Sequence, residues 1–108
     1  MSKYFKEIEE GMNVGFLTML DSARELAGIP FVINSAFRTE EHNKKVGGKP
    51  NSSHLKGLAV DIKATNSRTR FLVLNALIAA GFNRIGIADT FIHVDFDLTK
   101  DKDVIWTY

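Results

Sequence analysis

Ser52-Ser53-His54-Leu55-Lys56-Gly57-Leu58-Ala59-Val60-Asp61-Ile62-Lys63 and, later in the chain, Phe91-Ile92-His93-Val94-Asp95-Phe96 each contain a short run in which apolar and polar residues alternate. Successive side chains of a strand point to opposite faces, so residues two apart share a side. Within a strand read over residues 58–64, Val60 and Ile62 face a core, and in the later strand Ile92, Val94 and Phe96 do the same. That leaves Ala59, Asp61 and Lys63, and Phe91, His93 and Asp95, on the opposite face. Asp61 and His93 can therefore meet there, and His54, at the end of a Gly- and Ser-rich loop, can fold over toward Asp61.

The flanking segments supply the layer that the apolar strand faces need. Residues 13–27 place Val14, Leu17, Leu20, Arg24 and Ala27 on one helical stripe, widened by Phe16, Met19 and Leu26, with Asn13 as cap and Gly28 as terminator. Ile29-Pro30 breaks the helix, and residues 31–37 have the β-branched, aromatic character of a buried strand. Thr39 caps a short helix that opens on Glu40 and Glu41, favourable at the positive end of the dipole, and stops at Gly47-Gly48. Ser67 is the predicted cap of a second long helix, whose Phe71, Leu74, Leu77 and Ile78 form an apolar face ended by Gly81. Residues 84–88 and 91–96, joined through Asp89-Thr90, read as a hairpin. Together these predict an α+β fold, a small antiparallel sheet with helices packed on one face and the polar cluster on the other. One domain over residues 1–108 is expected, because this length suits a single core.

Composition excludes several classes of function. The 14 Lys and Arg against 13 Asp and Glu are mixed along the chain, so no basic surface for nucleic acid is expected. With no cysteine, disulfides, thiolate catalysis and Cys-rich zinc ribbons are ruled out, and any metal must be held by nitrogen and oxygen. No stretch approaches a membrane span, and Met1 to Glu10 lack the apolar run of a signal peptide. Synthesis in the cytoplasm, no membrane insertion and a monomer are expected.

Two imidazoles and one carboxylate, with a fourth position left for water, make a catalytic zinc set in which the ion lowers the pKa of the water toward ~7. Taken singly, each residue also has an ordinary reading: a loop histidine, a strand-end carboxylate, a satisfied strand histidine. The surrounding pattern is more specific. Ser52-x-His54-x-x-Gly57-x-Ala59-x-Asp61 resembles the zinc-binding signature of the D-Ala-D-Ala carboxypeptidase family, which is grouped with lysostaphin-type enzymes and hedgehog amino-terminal domains. The resemblance begins at Ser35-Ala36-Phe37-Arg38-Thr39-Glu40-Glu41-His42-Asn43, similar to the family's Ser-Gly-Tyr-Arg-Ser segment. It runs through Gly47-Gly48 and closes with Gly86-Ile87 and Phe91-Ile92-His93-Val94-Asp95. It implies a hedgehog- and D-Ala-D-Ala-peptidase-like fold and one Zn2+ ion held by His54, Asp61 and His93. It also implies that Arg38 engages a substrate carbonyl or carboxylate, a role that suits a planar bidentate donor. Ser52 would hydrogen-bond a ligand or the substrate, with a plain turn serine as the equal alternative.

The general base is less defined. Relatives often carry an acidic residue three positions before the last zinc ligand, whereas this chain has Thr90, which takes no proton from water at neutral pH. Asp95, on the strand face of His93, and Asp89, in the preceding turn, are the candidates, with Asp95 favoured. His42 reads as a surface residue of the short helix. Trp106 and Tyr108 read as edge packing, with an aromatic rim for a sugar or peptide as the alternative, and Lys100-Asp101-Lys102-Asp103 as a solvated turn. The resemblance implies a zinc peptidase that hydrolyses peptidoglycan stem peptides as a D-Ala-D-Ala carboxypeptidase or an L,D- or D,D-endopeptidase. A phage endolysin reaching the cell wall after release through a pore reconciles such a substrate with the missing export signal. The rivals are a catalytically weak or silent zinc module that recognises a wall peptide or a protein partner, and a metal-free structural protein.

Overall fold

The alternation in the two quoted stretches becomes the centre of a sheet in the computed structural model, which describes residues 2–108. Five strands, β1 (Ile33–Ser35), β2 (Ala59–Lys63), β3 (Arg84–Ile87), β4 (Phe91–Asp95) and β5 (Val104–Thr107), run in the order β1-β2-β4-β3-β5. β2 and β4 are antiparallel, with Val60 opposite Val94, Asp61 opposite His93 and Ile62 opposite Ile92. The four apolar residues of that set are fully buried in one core with residues of the helices α1 (Val14–Ala27) and α3 (Ser67–Ala79). Each such side chain contributes about 1.5–3 kcal/mol through burial. Slipping the register by one residue would expose all four and bury Asp61 and His93 in the core, so hydrophobic packing also fixes the polar face.

α1 keeps its expected ends, and the predicted apolar faces are inward in part, with Phe16, Leu17, Leu20 and Leu77 buried as expected. Asn13 caps α1 by accepting from the Phe16 amide, and Gly28 closes it in the left-handed conformation. The buried stripe is Phe16, Leu17, Leu20 and Ala23, whereas Val14 and Leu26 are exposed. In α3 the cap is Asn66 rather than Ser67, and Val73, Ala76 and Leu77 go inward while Phe71 and Ile78 stay exposed. Packing decides which side is covered: α1 and α3 lie against each other, and their inward residues share one core with the strands.

β1 is shorter than the predicted strand over residues 31–37. It pairs antiparallel with β2 through Ile33 and Ser35, with a register shift between them, and then leaves the sheet. The backbone beyond it is used elsewhere: the Arg38 amide donates to the His54 carbonyl, and the Ala36 carbonyl accepts from the His54 ring. Thr39 caps the short helix α2 (Glu40–Lys45) as expected, by accepting from the His42 amide, and His42 is exposed. β3 and β4 form the hairpin, and β5 adds to β3 in parallel, a strand that the residue pattern did not predict.

Candidate metal centre

His54 lies on a 3-10 turn, Ser53–Lys56, and not in an open loop. Ser52 caps this turn by accepting from the His54 amide at 3.2 Å, so its hydroxyl helps to set the histidine's backbone while the residue also lines the cleft. The turn ends at Gly57, which has a φ of +69°. Gly57 is required twice over: the left-handed conformation favours it, and a Cβ there would overlap the Gly11 carbonyl. The Gly57 carbonyl in turn accepts from the Asn13 amide at 2.9 Å, which ties the turn to the start of α1.

His54, Asp61 and His93 converge. One donor atom from each lies within 4.8 Å of the others. Asp61 Oδ1 sits 3.3 Å from His54 Nε2 and 3.0 Å from His93 Nδ1. Zinc ligands at ~2.0–2.1 Å in a tetrahedron are separated by about 3.3 Å, so this triangle matches the size a zinc site requires. The far sides of both rings are fixed as well. His54 Nδ1 lies 2.7 Å from the Ala36 carbonyl, and His93 Nε2 lies 2.8 Å from Asp95 Oδ2. A carbonyl and a carboxylate can only accept, so each outer nitrogen donates there, and the inward nitrogens, which face Asp61, are the ones that would serve as ligands to an ion. The residues present therefore fit one Zn2+.

The charges reinforce one another. Burial alone would raise the Asp61 carboxyl, but hydrogen bonds with His54 and His93 outweigh it and hold the group well below the usual carboxylate range. Burial would lower His93, yet hydrogen bonds with Asp61 and Asp95 prevail and raise it. Asp95 is likewise kept low against its burial by His93 and Arg84.

Asp95 is turned to the side chains of His93 and Arg84. It is 1% exposed; Oδ2 is taken by His93, while Oδ1 accepts from Arg84 Nε at 2.7 Å and from the Asp97 amide at 3.3 Å. Both of its oxygens are therefore engaged, one by the His93 ring and the other by Arg84 and the Asp97 amide. Asp89 is exposed in the β3–β4 turn, where its carbonyl accepts from Arg70, and it does not line the cleft. Thr90 is exposed beside it. Among the described residues, Asp61 and Asp95 are the carboxylates that line the cleft.

Arg38 reaches the cleft as expected. Its Nε donates to Ser35 Oγ at 3.1 Å, Nη1 donates to Asn43 Oδ1 at 3.2 Å, and Nη2 lies 3.7 Å from Asp61 Oδ2. Asn43 is buried and donates to the Lys49 carbonyl at 2.9 Å, so one amide side chain holds both the arginine and the loop before His54. The cleft over the three donors has a volume of about 630 Å3, and Trp106 and Tyr108 line it together with Lys49 and Lys100.

Asp97 was not singled out in the sequence. It is 2% exposed and accepts from Ser53 Oγ at 2.8 Å, Thr99 Oγ1 at 2.7 Å and Lys56 Nζ at 3.0 Å. These bonds clamp the His54 turn to the chain just past β4. Burial would raise the Asp97 carboxyl, but hydrogen bonds from Thr99, Lys56 and Ser53 hold it well below its usual range. Lys100 is also not simply solvated, because its Nζ donates to the Asn51 carbonyl and to Ser53 Oγ, both at 2.8 Å. Asp97 follows Phe96 as an ordinary polar residue at a strand end, and only the long-range fold gives it partners from residues 53 and 56.

A family model described as peptidase M15 matches residues 1–95. Among solved structures, the fold is similar to a crystal structure of Serratia marcescens L-Ala D-Glu endopeptidase ChiX, with a TM-score of 0.61 and 16% identity over 92% of this chain and 90% of that one. No curated protein matches the sequence.

Proposed function

The chain belongs to the peptidase M15 family, and from that membership we propose that it is a zinc-dependent peptidase cleaving the peptide part of bacterial peptidoglycan. The observation that carries the reading is the donor triangle, two inward imidazole nitrogens around one carboxylate oxygen, with each ring fixed from behind. When bound there, zinc supplies Lewis acidity toward a water and a peptide carbonyl. The protein's own groups do the rest. His54 and His93 are held in single tautomers by Ala36 and Asp95, and Arg84 fixes Asp95. Arg38, tethered by Ser35 and Asn43, presents its remaining N–H groups to a substrate carbonyl or carboxylate. The likeness to the Serratia L-Ala D-Glu endopeptidase supports a stem-peptide bond as the target.

A digest of defined muropeptides, analysed by mass, tests activity and bond together. The expected result is one new cleavage product, with about one zinc per chain by elemental analysis; intact muropeptides from zinc-loaded protein would exclude the peptidase reading. The products also separate carboxypeptidase from endopeptidase action. One observation favours a second reading, a zinc module that binds without efficient hydrolysis. Neither Asp95 nor Asp89 stands free in the cleft to accept a proton. That reading predicts zinc uptake and muropeptide binding without products.

A further inference from the structure

β5 and Tyr108 after it lie beyond the stretch that the family model matches, yet Trp106 and Tyr108 line the cleft. Parallel pairing with β3 sets Trp106 opposite Gly86, and a Cβ at residue 86 would overlap the indole. The missing side chain lets the Trp106 ring settle against the sheet, 5.5 Å from the His93 ring and under the Arg84 guanidinium at 5.2 Å. Tyr108 stands further out, 70% exposed, with its ring 5.3 Å from that of Phe91. A large aromatic side chain left open beside a set of metal donors gains little from folding alone. Its flat, electron-rich face suits C–H groups, and with two side-chain torsions it loses little entropy on contact.

We propose that β5 forms the substrate-gripping wall of the cleft, in which Trp106 and Tyr108, backed by Phe91, pack against an apolar C–H face of the substrate. That face belongs either to a sugar ring or to an aliphatic side chain of the peptide. The proposal rests on the peptidase reading and names the part of the site that determines affinity.

Trp106 is the one tryptophan in the chain, so its fluorescence reports on this wall directly. The test titrates zinc-saturated protein with soluble disaccharide-peptide fragments of peptidoglycan and, separately, with the same peptide without sugar. A saturable change with both ligands, equally tight, assigns the aliphatic chain; a change at least tenfold tighter with the disaccharide assigns the sugar. Tyr108→Ala should weaken the titration and raise KM about tenfold, with the loss falling on KM rather than kcat, and Tyr108→Phe should restore both. A wild-type enzyme that cleaves muropeptides while Tyr108→Ala keeps KM within twofold would overturn the wall and leave the peptidase reading intact. If nothing is cleaved, the peptidase reading fails, and the fluorescence decides the wall: a response lost in Tyr108→Ala supports it, and no response in the wild type rejects it.

Discussion

The two histidines of the candidate centre are delivered by different means. His93 comes from β4, directly opposite Asp61 on β2, so backbone pairing and the buried residues Ile62, Ile92 and Val94 place it. His54 comes from a 3-10 turn outside the sheet, held by separate contacts: the Ser52 hydroxyl at its start, Asp97 gripping Ser53 and Lys56, the Ala36 carbonyl on its ring and the Arg38 amide on its carbonyl. Ladder pairing spreads the placement of His93 over many bonds, whereas the placement of His54 depends on a few. The sheet half of the centre should therefore tolerate conservative changes among the buried apolar residues beneath it, whereas the turn half should not tolerate loss of the polar side chains that hold it.

The largest effect is expected where the comparison disappears, at the donors themselves. His54→Ala and His93→Ala should each lower muropeptide hydrolysis on the order of a thousandfold or more and abolish zinc retention, as measured by product mass and elemental analysis. Full retention of zinc by either variant would mean that its histidine is not a ligand. Next comes the support behind His93. Asp95→Asn removes the charge paired with Arg84 and weakens the bond to His93 Nε2, and it should cost about 10- to 100-fold in zinc affinity in a chelator competition.

The contrast is sharpest with one variant from each half. Asp97→Ala should destabilise the protein by about 2 kcal/mol in urea unfolding and weaken zinc binding through the loosened His54 turn. Ile92→Val, beneath His93, should cost about 1 kcal/mol and leave zinc affinity unaltered. Equal effects on zinc would refute the idea that the halves are held differently. The smallest effect is in pH. Because Asp97 has a depressed pKa in the fold, its ionised form stabilises the protein above the unfolded carboxylate value near ~3.9, and this is lost as pH falls below that value. The melting-temperature gap between wild type and Asp97→Asn should be constant from pH 7 to 5 and narrow toward pH 3.

The same division decides what could be read from the sequence. Alternation in residues 59–63 and 91–95 is local, so it sufficed to bring Asp61 and His93 to one face. The helix caps at Asn13 and Thr39 were legible for the same reason. The inward faces of α1 and α3 were legible only in part: Leu17, Leu20 and Leu77 go inward as predicted, but Val14 and Phe71 are apolar by type and exposed, and only packing between the two helices shows which side is covered. Asp95 shares the face of His93, as alternation predicted, but its part depends on Arg84, a residue on another strand with no marking in the sequence. β5 escaped because a four-residue strand added in parallel at an edge carries no alternation signal strong enough to read.

Gly57 has a consequence that reaches away from the cleft. Its carbonyl holds the Asn13 amide, and its bare α-carbon lies against Gly11, so the segment leading into α1 is seated on the turn that carries His54. Whatever steadies that turn must also slow the breathing of the amino-terminal segment. Hydrogen–deuterium exchange should reveal this coupling as added protection at the Asn13 amide on zinc loading, although that amide belongs to no wall of the site.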